Sequence, residues 1–196
     1  NYGSAVSKAE ACKHLGLKPD EKYILFFGFI RKYKGLDILL DTMKDDRIKA
    51  AGIKLIVAGE FYGDSEAYLK QISDNGIAED VKLFTEFIPN NEIRYYFSAA
   101  DLVVQPYRSA TQSGITQVAY HFEKPMVVTN VGGLAEVVPD GKTGFVTEPD
   151  PAQIATAILK FFSPGSLPQL QENITREKQK YSWDTFTTNL LGVAKS

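Results

Sequence analysis

Short apolar runs alternate with longer amphipathic stretches along most of the 196 residues. Nearly continuous runs rich in Val, Ile and Phe are typical of parallel strands that are covered on both faces. The six runs are Tyr23–Phe29, Lys54–Ala58, Val81–Phe84, Leu102–Gln105, Met126–Thr129 and Gly144–Thr147. Their alternation with helical patterns predicts an α/β fold with a doubly wound parallel sheet of about six strands.

Apolar stripes at three- and four-residue spacing predict helices between these strands. Ser7 and Glu10 have the spacing of a capping box at a helix start. Asn91 is expected to cap a second helix. Asp150 is expected to cap a third helix, with Pro151 at its first position. After residue 162 the strand pattern stops, and two helices are expected, over 167–181 and 183–193. We therefore expect a nucleotide-binding domain over 1–162 and a helical extension over 163–196 that packs on it.

Charge and composition exclude several function classes. Lys and Arg total 22 and Asp and Glu total 24, so no basic excess indicates a nucleic-acid partner. No apolar run is long enough to predict a transmembrane segment. Cys12 is the only cysteine and fits a reducing, cytoplasmic location. His14 and His121 lack neighbours at ligand spacing, so no metal site is expected.

The loop after the first run carries three cations within four residues. Gly28 begins this loop, Arg31, Lys32 and Lys34 follow, and Gly35 precedes a helix. Ligands of doubly wound sheets bind beyond the carboxyl ends of the strands, where a helix start also attracts anions. A solvated basic loop is the alternative, but this position favours a phosphate site.

Other loops at strand ends offer polar or small residues. Ser113, Gly114 and Ile115 begin a predicted helix, and its free amides suit an anion, while Gln112 offers an amide to hydroxyl groups. An ordinary capped turn without a ligand is the alternative there. Two glycine-containing loops are further candidates, with tight structural turns as the alternative: Gly132–Gly133 and Gly59–Glu60.

These loops belong to motifs that occur in a fixed order along nearly the whole chain. They read FGFIRKYKGLDILL at 27–40, LIVAGE at 55–60, AADLVVQPY at 99–107, KPMVVT at 124–129, VGGLAEVV at 131–138, DGKTGF at 140–145 and YSW at 181–183. In these motifs the chain resembles the C-terminal domain of a group 1, retaining glycosyltransferase with the Rossmann-like GT-B fold.

The resemblance implies a domain that binds a nucleotide-sugar donor, such as a UDP- or GDP-sugar, without a cofactor or metal. Arg31 and Lys34 then neutralise the diphosphate leaving group, and the amides of Ser113–Ile115 cradle it. Phe87 and Ile88 lie in the stretch that contacts the nucleobase. Stabilising negative charge on a departing diphosphate is a route to catalysis that needs no metal ion.

One departure from the family pattern concerns two glutamates that many members carry eight residues apart. The corresponding places fall near Ala110 and Val118, so both carboxylates are missing. Gln112 or Gln117 is the candidate to replace their contacts with donor hydroxyls. The loss keeps two alternatives open: a non-catalytic nucleotide-sugar-binding module, and a GT-B sugar-nucleotide epimerase.

The resemblance also implies a missing partner domain. The chain starts at Asn1 without a Met or a signal-peptide pattern, so we expect a piece of a longer protein. In the family, an N-terminal domain faces this one across a cleft, binds the acceptor and can hold the enzyme at the inner face of the membrane. We therefore expect a glycan or lipid-linked acceptor and a role in polysaccharide biosynthesis. We also expect the isolated domain to have only weak activity.

Overall fold

The six apolar runs form one parallel sheet in the order β3-β2-β1-β4-β5-β6. The computed structural model describes residues 2–111 and 113–180. The strands are β1 Lys22–Phe27, β2 Ile53–Ala58, β3 Val81–Phe84, β4 Leu102–Gln105, β5 Met126–Thr129 and β6 Gly144–Thr147. This arrangement confirms the predicted doubly wound fold.

Helices follow the strands and cover both faces of the sheet. They are α1 Lys8–Leu15, α2 Leu36–Met43, α3 Asp46–Ala50, α4 Glu66–Asp74, α5 Ile93–Ala99, α6 Gly114–His121, α7 Leu134–Val137, α8 Pro151–Phe161 and α9 Ser166–Lys180, with a 3-10 turn at Lys32–Lys34. The expected caps at Ser7 and Asp150 are confirmed, since their side chains accept backbone N–H groups of their own helices. Asn91 is not a cap, because Glu92 occupies the position before α5 and makes no side-chain cap bond.

Two apolar cores lie on opposite faces of the sheet. In β1, Ile24 and Phe26 contribute to one core, whereas Tyr23 and Leu25 contribute to the other. Burial on both faces explains why the strand sequences are continuously apolar rather than alternating. Helices α2, α3, α4 and α8 pack in the first core, and α1, α5, α6 and α7 pack in the second.

The pairing of β1 differs on its two sides. Six residue pairs join β1 to β2, but only Ile24↔Leu102 and Leu25↔Val103 join β1 to β4. The pairing of β1 with β4 therefore stops before their carboxyl ends, at the point where the strand order reverses. In doubly wound sheets, ligands bind in the crevice at this point.

The described part of the C-terminal extension, α9, packs on both cores. Leu170 is buried in one core and Ile174 in the other. Glu123, which has a positive φ of 52°, accepts a hydrogen bond from Gln171 and pairs with Lys178 at 3.1 Å. The helix expected over 183–193 lies outside the described residues. No described helix combines the length and the apolarity that a membrane span requires.

Candidate functional site

The floor of the crevice is a close contact between the loops that follow β1 and β4. Gly35 has a φ of 68°, and a Cβ atom there would lie 2.0 Å from the Pro106 carbonyl oxygen. The Arg108 N–H donates to the Tyr33 carbonyl oxygen at 2.7 Å, and the Arg108 guanidinium pairs with Asp37 at 2.6 Å. These contacts fix the basic loop against the segment that leads into α6.

Lys34 lies inside this contact with only 9% of its surface exposed. Its Nζ is 3.0 Å from where a Gly28 Cβ would be and 5.8 Å from the Tyr107 ring centroid. No carboxylate pairs with it among the residues that the structure describes. Burial first, and then the nearby Arg31 charge, lower the pKa of Lys34 to about 8. A buried ammonium without a counter-ion suits an anionic ligand.

The start of α6 lies on the other side of Tyr107. The Ser113 side chain accepts the Ile115 N–H at 3.3 Å, and the Tyr107 hydroxyl lies 3.3 Å from the Ser113 Oγ. Burial raises the pKa of Tyr107 to about 12, so its hydroxyl stays protonated near neutral pH. A Cβ at Gly114 would meet no atom within 4 Å, so the space on the side-chain side of this first helical residue is open.

Arg31 lies at the rim of the crevice and is exposed. Its guanidinium carbon is 4.2 Å from the ring centroid of Tyr62, which is 69% exposed. The Glu60 carbonyl accepts the Ile30 N–H at 2.8 Å, which joins the loops after β1 and β2. The structure thus gives Glu60 a backbone contact in the neighbouring loop.

Three of the candidate glycines allow close backbone contacts. A Cβ at Gly59 would lie 2.4 Å from the Gly28 carbonyl oxygen, and one at Gly132 would lie 1.6 Å from the Ala110 carbonyl oxygen. The Gly133 N–H donates to the Thr111 carbonyl at 3.2 Å. Gly132 and Gly133 therefore hold the segment that precedes α6, whether or not they also touch a ligand.

The remaining candidates occupy different surroundings. Phe87 is 70% exposed after β3, whereas Ile88 is half-buried and packs on a core. Gln117 is exposed on α6, and Gln112 lies outside the described residues. Val118, at one of the two places that lack a glutamate, is buried in a core, so this position supplies apolar packing.

The sequence patterns indicate no role for Tyr62, Tyr107 or the Asp37–Arg108 pair. Tyr107 stands within a recognised motif, but its contact with Lys34 and Ser113 depends on two distant loops meeting. The described residues contain no group of three or more His, Cys, Asp and Glu side chains arranged to hold a metal ion. The site is thus built from cations, hydroxyl groups and helix amides.

Comparison with known proteins decides the family. The family model described as glycosyl transferases, group 1, matches residues 7–181. The chain belongs to the group 1 glycosyl transferases. It is 33% identical over 195 residues to the D-inositol 3-phosphate glycosyltransferase of Mycobacterium marinum, covering 94% of this chain and 40% of that protein. Over 199 residues it is 31% identical to D-inositol 3-phosphate glycosyltransferase 1 of Catenulispora acidiphila, covering 95% and 47%.

Solved structures show the same fold. The Anabaena protein HepE in complex with UDP superposes with a TM-score of 0.82 at 20% identity, covering 96% of this chain and 52% of that one. A C-terminal domain of a Francisella tularensis group 1 family protein gives 0.79 at 20% identity, covering 92% and 95%. This glycosyltransferase domain thus matches the C-terminal domain of the family, and it spans less than half the length of these curated relatives.

Proposed function

We propose that this glycosyltransferase domain binds a nucleoside-diphosphate sugar in the crevice between β1 and β4 and stabilises the departing diphosphate. The observation that carries the proposal is the buried ammonium of Lys34 opposite the start of α6, with which no carboxylate of residues 2–111 or 113–180 pairs. A diphosphate placed there would meet a cation on one side and the backbone amides of Ser113 and Gly114 on the other, while the Ile115 N–H donates to the Ser113 side chain. The structure of HepE with UDP-glucose supports a donor of this class.

Transfer of the sugar to an acceptor hydroxyl forms a bond from the anomeric carbon to the acceptor oxygen, releases the hydroxyl proton and breaks the bond between the anomeric carbon and the diphosphate oxygen. Negative charge grows on the leaving diphosphate. Lys34 and Arg31 lower the energy of that charge, and the dipole of α6 adds to their effect. The burial of Lys34 strengthens its interaction, because little water screens it. We propose retention of configuration, as the family resemblance implies, with Phe87 and Ile88 beside the nucleobase.

The acceptor side of the reaction belongs to a second domain in this proposal. The chain spans less than half the length of its curated relatives, so a partner domain of similar size would complete the cleft. A glycan or lipid-linked acceptor would bind there, and that domain would bring the enzyme to the inner face of the membrane. The domain described here would bind the donor and transfer little alone.

Calorimetric titration of the chain with UDP and with GDP tests donor binding. Replacing Lys34 with Ala removes a charge-assisted contact, so we expect roughly ten- to hundredfold weaker binding. Lys49→Ala removes an exposed lysine on α3 and is the matched control, with unchanged affinity expected. If neither nucleotide binds, or if Lys34→Ala and Lys49→Ala bind UDP and GDP equally well, the assignment of this site to donor binding is wrong.

A non-catalytic binding module is the second candidate, because Ala110 and Val118 supply no carboxylate to donor hydroxyl groups. Both candidates predict nucleotide binding, so a turnover assay discriminates them. The longer protein that carries this domain is incubated with UDP- and GDP-sugars, and released nucleoside diphosphate and glycosylated product are measured. Product formation that Lys34→Ala abolishes supports the enzyme, whereas binding without turnover supports the module.

A further inference from the structure

The loops after β1 and β2 pair as extended segments beyond the sheet. Ile30 and Phe61 form a parallel bridge, and the Tyr62 N–H donates to the Ile30 carbonyl oxygen at 3.0 Å. Ile30 is buried and Phe61 packs against the same core. Because successive side chains of an extended segment point to opposite sides, Arg31 and Tyr62 emerge together on the outer side.

This pairing places the Arg31 guanidinium over the Tyr62 ring at 4.2 Å. No carboxylate pairs with Arg31 among the residues that the structure describes. Contact with a ring uses the face of a guanidinium, so its N–H donors at the edge can still bind a phosphate bidentately. Arg31 also acts on the same site as Lys34, because its charge contributes to the lowered pKa of that lysine.

We propose that Tyr62 is a positioning residue that holds Arg31 toward the diphosphate of the donor. The inference rests on the proposed function, since it assumes that a diphosphate binds beside Lys34. An exposed arginine in a loop samples many rotamers, and binding must select one of them. The Tyr62 ring restricts that choice before the ligand arrives, so affinity for the diphosphate depends on a side chain that does not touch it.

The test is calorimetric titration of the chain with UDP and with UMP. We expect Tyr62→Ala to weaken UDP binding roughly two- to tenfold, the range of an exposed cation–π contact and of one restricted side chain. Tyr62→Phe keeps the ring face and is expected to keep wild-type affinity. UMP lacks the second phosphate, so its affinity should change less. Leu69→Ala, an exposed apolar truncation on α4, is the matched control.

A double-mutant cycle separates positioning from a general structural effect. In an Arg31→Gln background, Tyr62→Ala should cost no further UDP affinity, because the side chain that it positions is absent. Equal losses in both backgrounds, or wild-type UDP affinity in Tyr62→Ala, would overturn the inference. If Lys34→Ala weakens UDP binding but Tyr62→Ala does not, only the positioning role fails. If the wild-type chain binds no nucleotide, the proposed function fails with it.

Discussion

Donor binding should depend on pH through Lys34, because an anion favours the protonated amine. With a pKa of about 8, the free protein carries the charge on about nine-tenths of its molecules at pH 7 and on about one-tenth at pH 9. The terminal phosphate of UDP, with a second pKa of about 6, stays ionised over this range. If the bound form remains protonated, the affinity for UDP falls about tenfold between pH 7 and pH 9.

Calorimetry measures both the affinity and the proton that accompanies binding. Titrations in two buffers with different ionisation enthalpies should show uptake of about half a proton at pH 8 and about a tenth at pH 7. Lys34→Arg keeps a positive charge at every pH used, so its affinity should change little from pH 7 to pH 9. Arg31→Gln removes the neighbouring cation, so the midpoint of the pH dependence should move to higher pH.

Two results would refute this reasoning. A wild-type affinity that stays constant from pH 7 to pH 9 would show that Lys34 does not lose its charge near pH 8 in a way that affects binding. An equal fall of affinity in wild type and Lys34→Arg would assign the pH dependence to another group. Either result would refute the link between the pKa of Lys34 and donor affinity, and the affinity of Lys34→Ala would then decide whether Lys34 contacts the diphosphate.

Two stability predictions concern the segment around α6. In urea unfolding, Gly132→Ala should lower the free energy of unfolding by roughly 1–3 kcal/mol more than Gly141→Ala does. Both glycines have a positive φ, but only the new methyl group at residue 132 meets a backbone oxygen, that of Ala110. Equal losses would contradict this close contact. Ser113→Ala removes the hydrogen bond from the Ile115 N–H to the Ser113 side chain, so it should lower the free energy of unfolding by about 1 kcal/mol and weaken UDP binding. An unchanged free energy of unfolding would contradict the capping role of Ser113.

The fold was largely predictable because the central strands are buried on both faces and therefore have continuous apolar sequences. The ends of β3, β4, β5 and β6 coincide with the apolar runs. The end of the expected first strand was two residues too late, because Gly28 turns the chain with a φ of 98° after Phe27. The Asn91 prediction was wrong since a turn from Pro89 to Glu92 places Glu92 before α5, and local cap preference does not reveal that turn.

The site was predictable only where chemistry follows a strand end directly. The sequence indicates Lys34 and Ser113 as candidates in this way, and the structure brings their loops together around Tyr107. Tyr62 could not be found, because its contact with Arg31 depends on the register between two loops beyond the sheet. The burial of Lys34 could not be predicted either, because the local sequence does not show which of the three neighbouring cations the fold buries.

The short pairing between β1 and β4 has a consequence for the stability of the sheet. Two residue pairs join the strands at this seam, against six between β1 and β2, so β1 is paired less extensively with β4. A diphosphate held by Lys34 from one half of the sheet and by Ser113 from the other would span that seam. The bound ligand would then stabilise the pairing of β1 with β4, so the backbone amides of β4 should exchange with solvent more slowly when UDP is present.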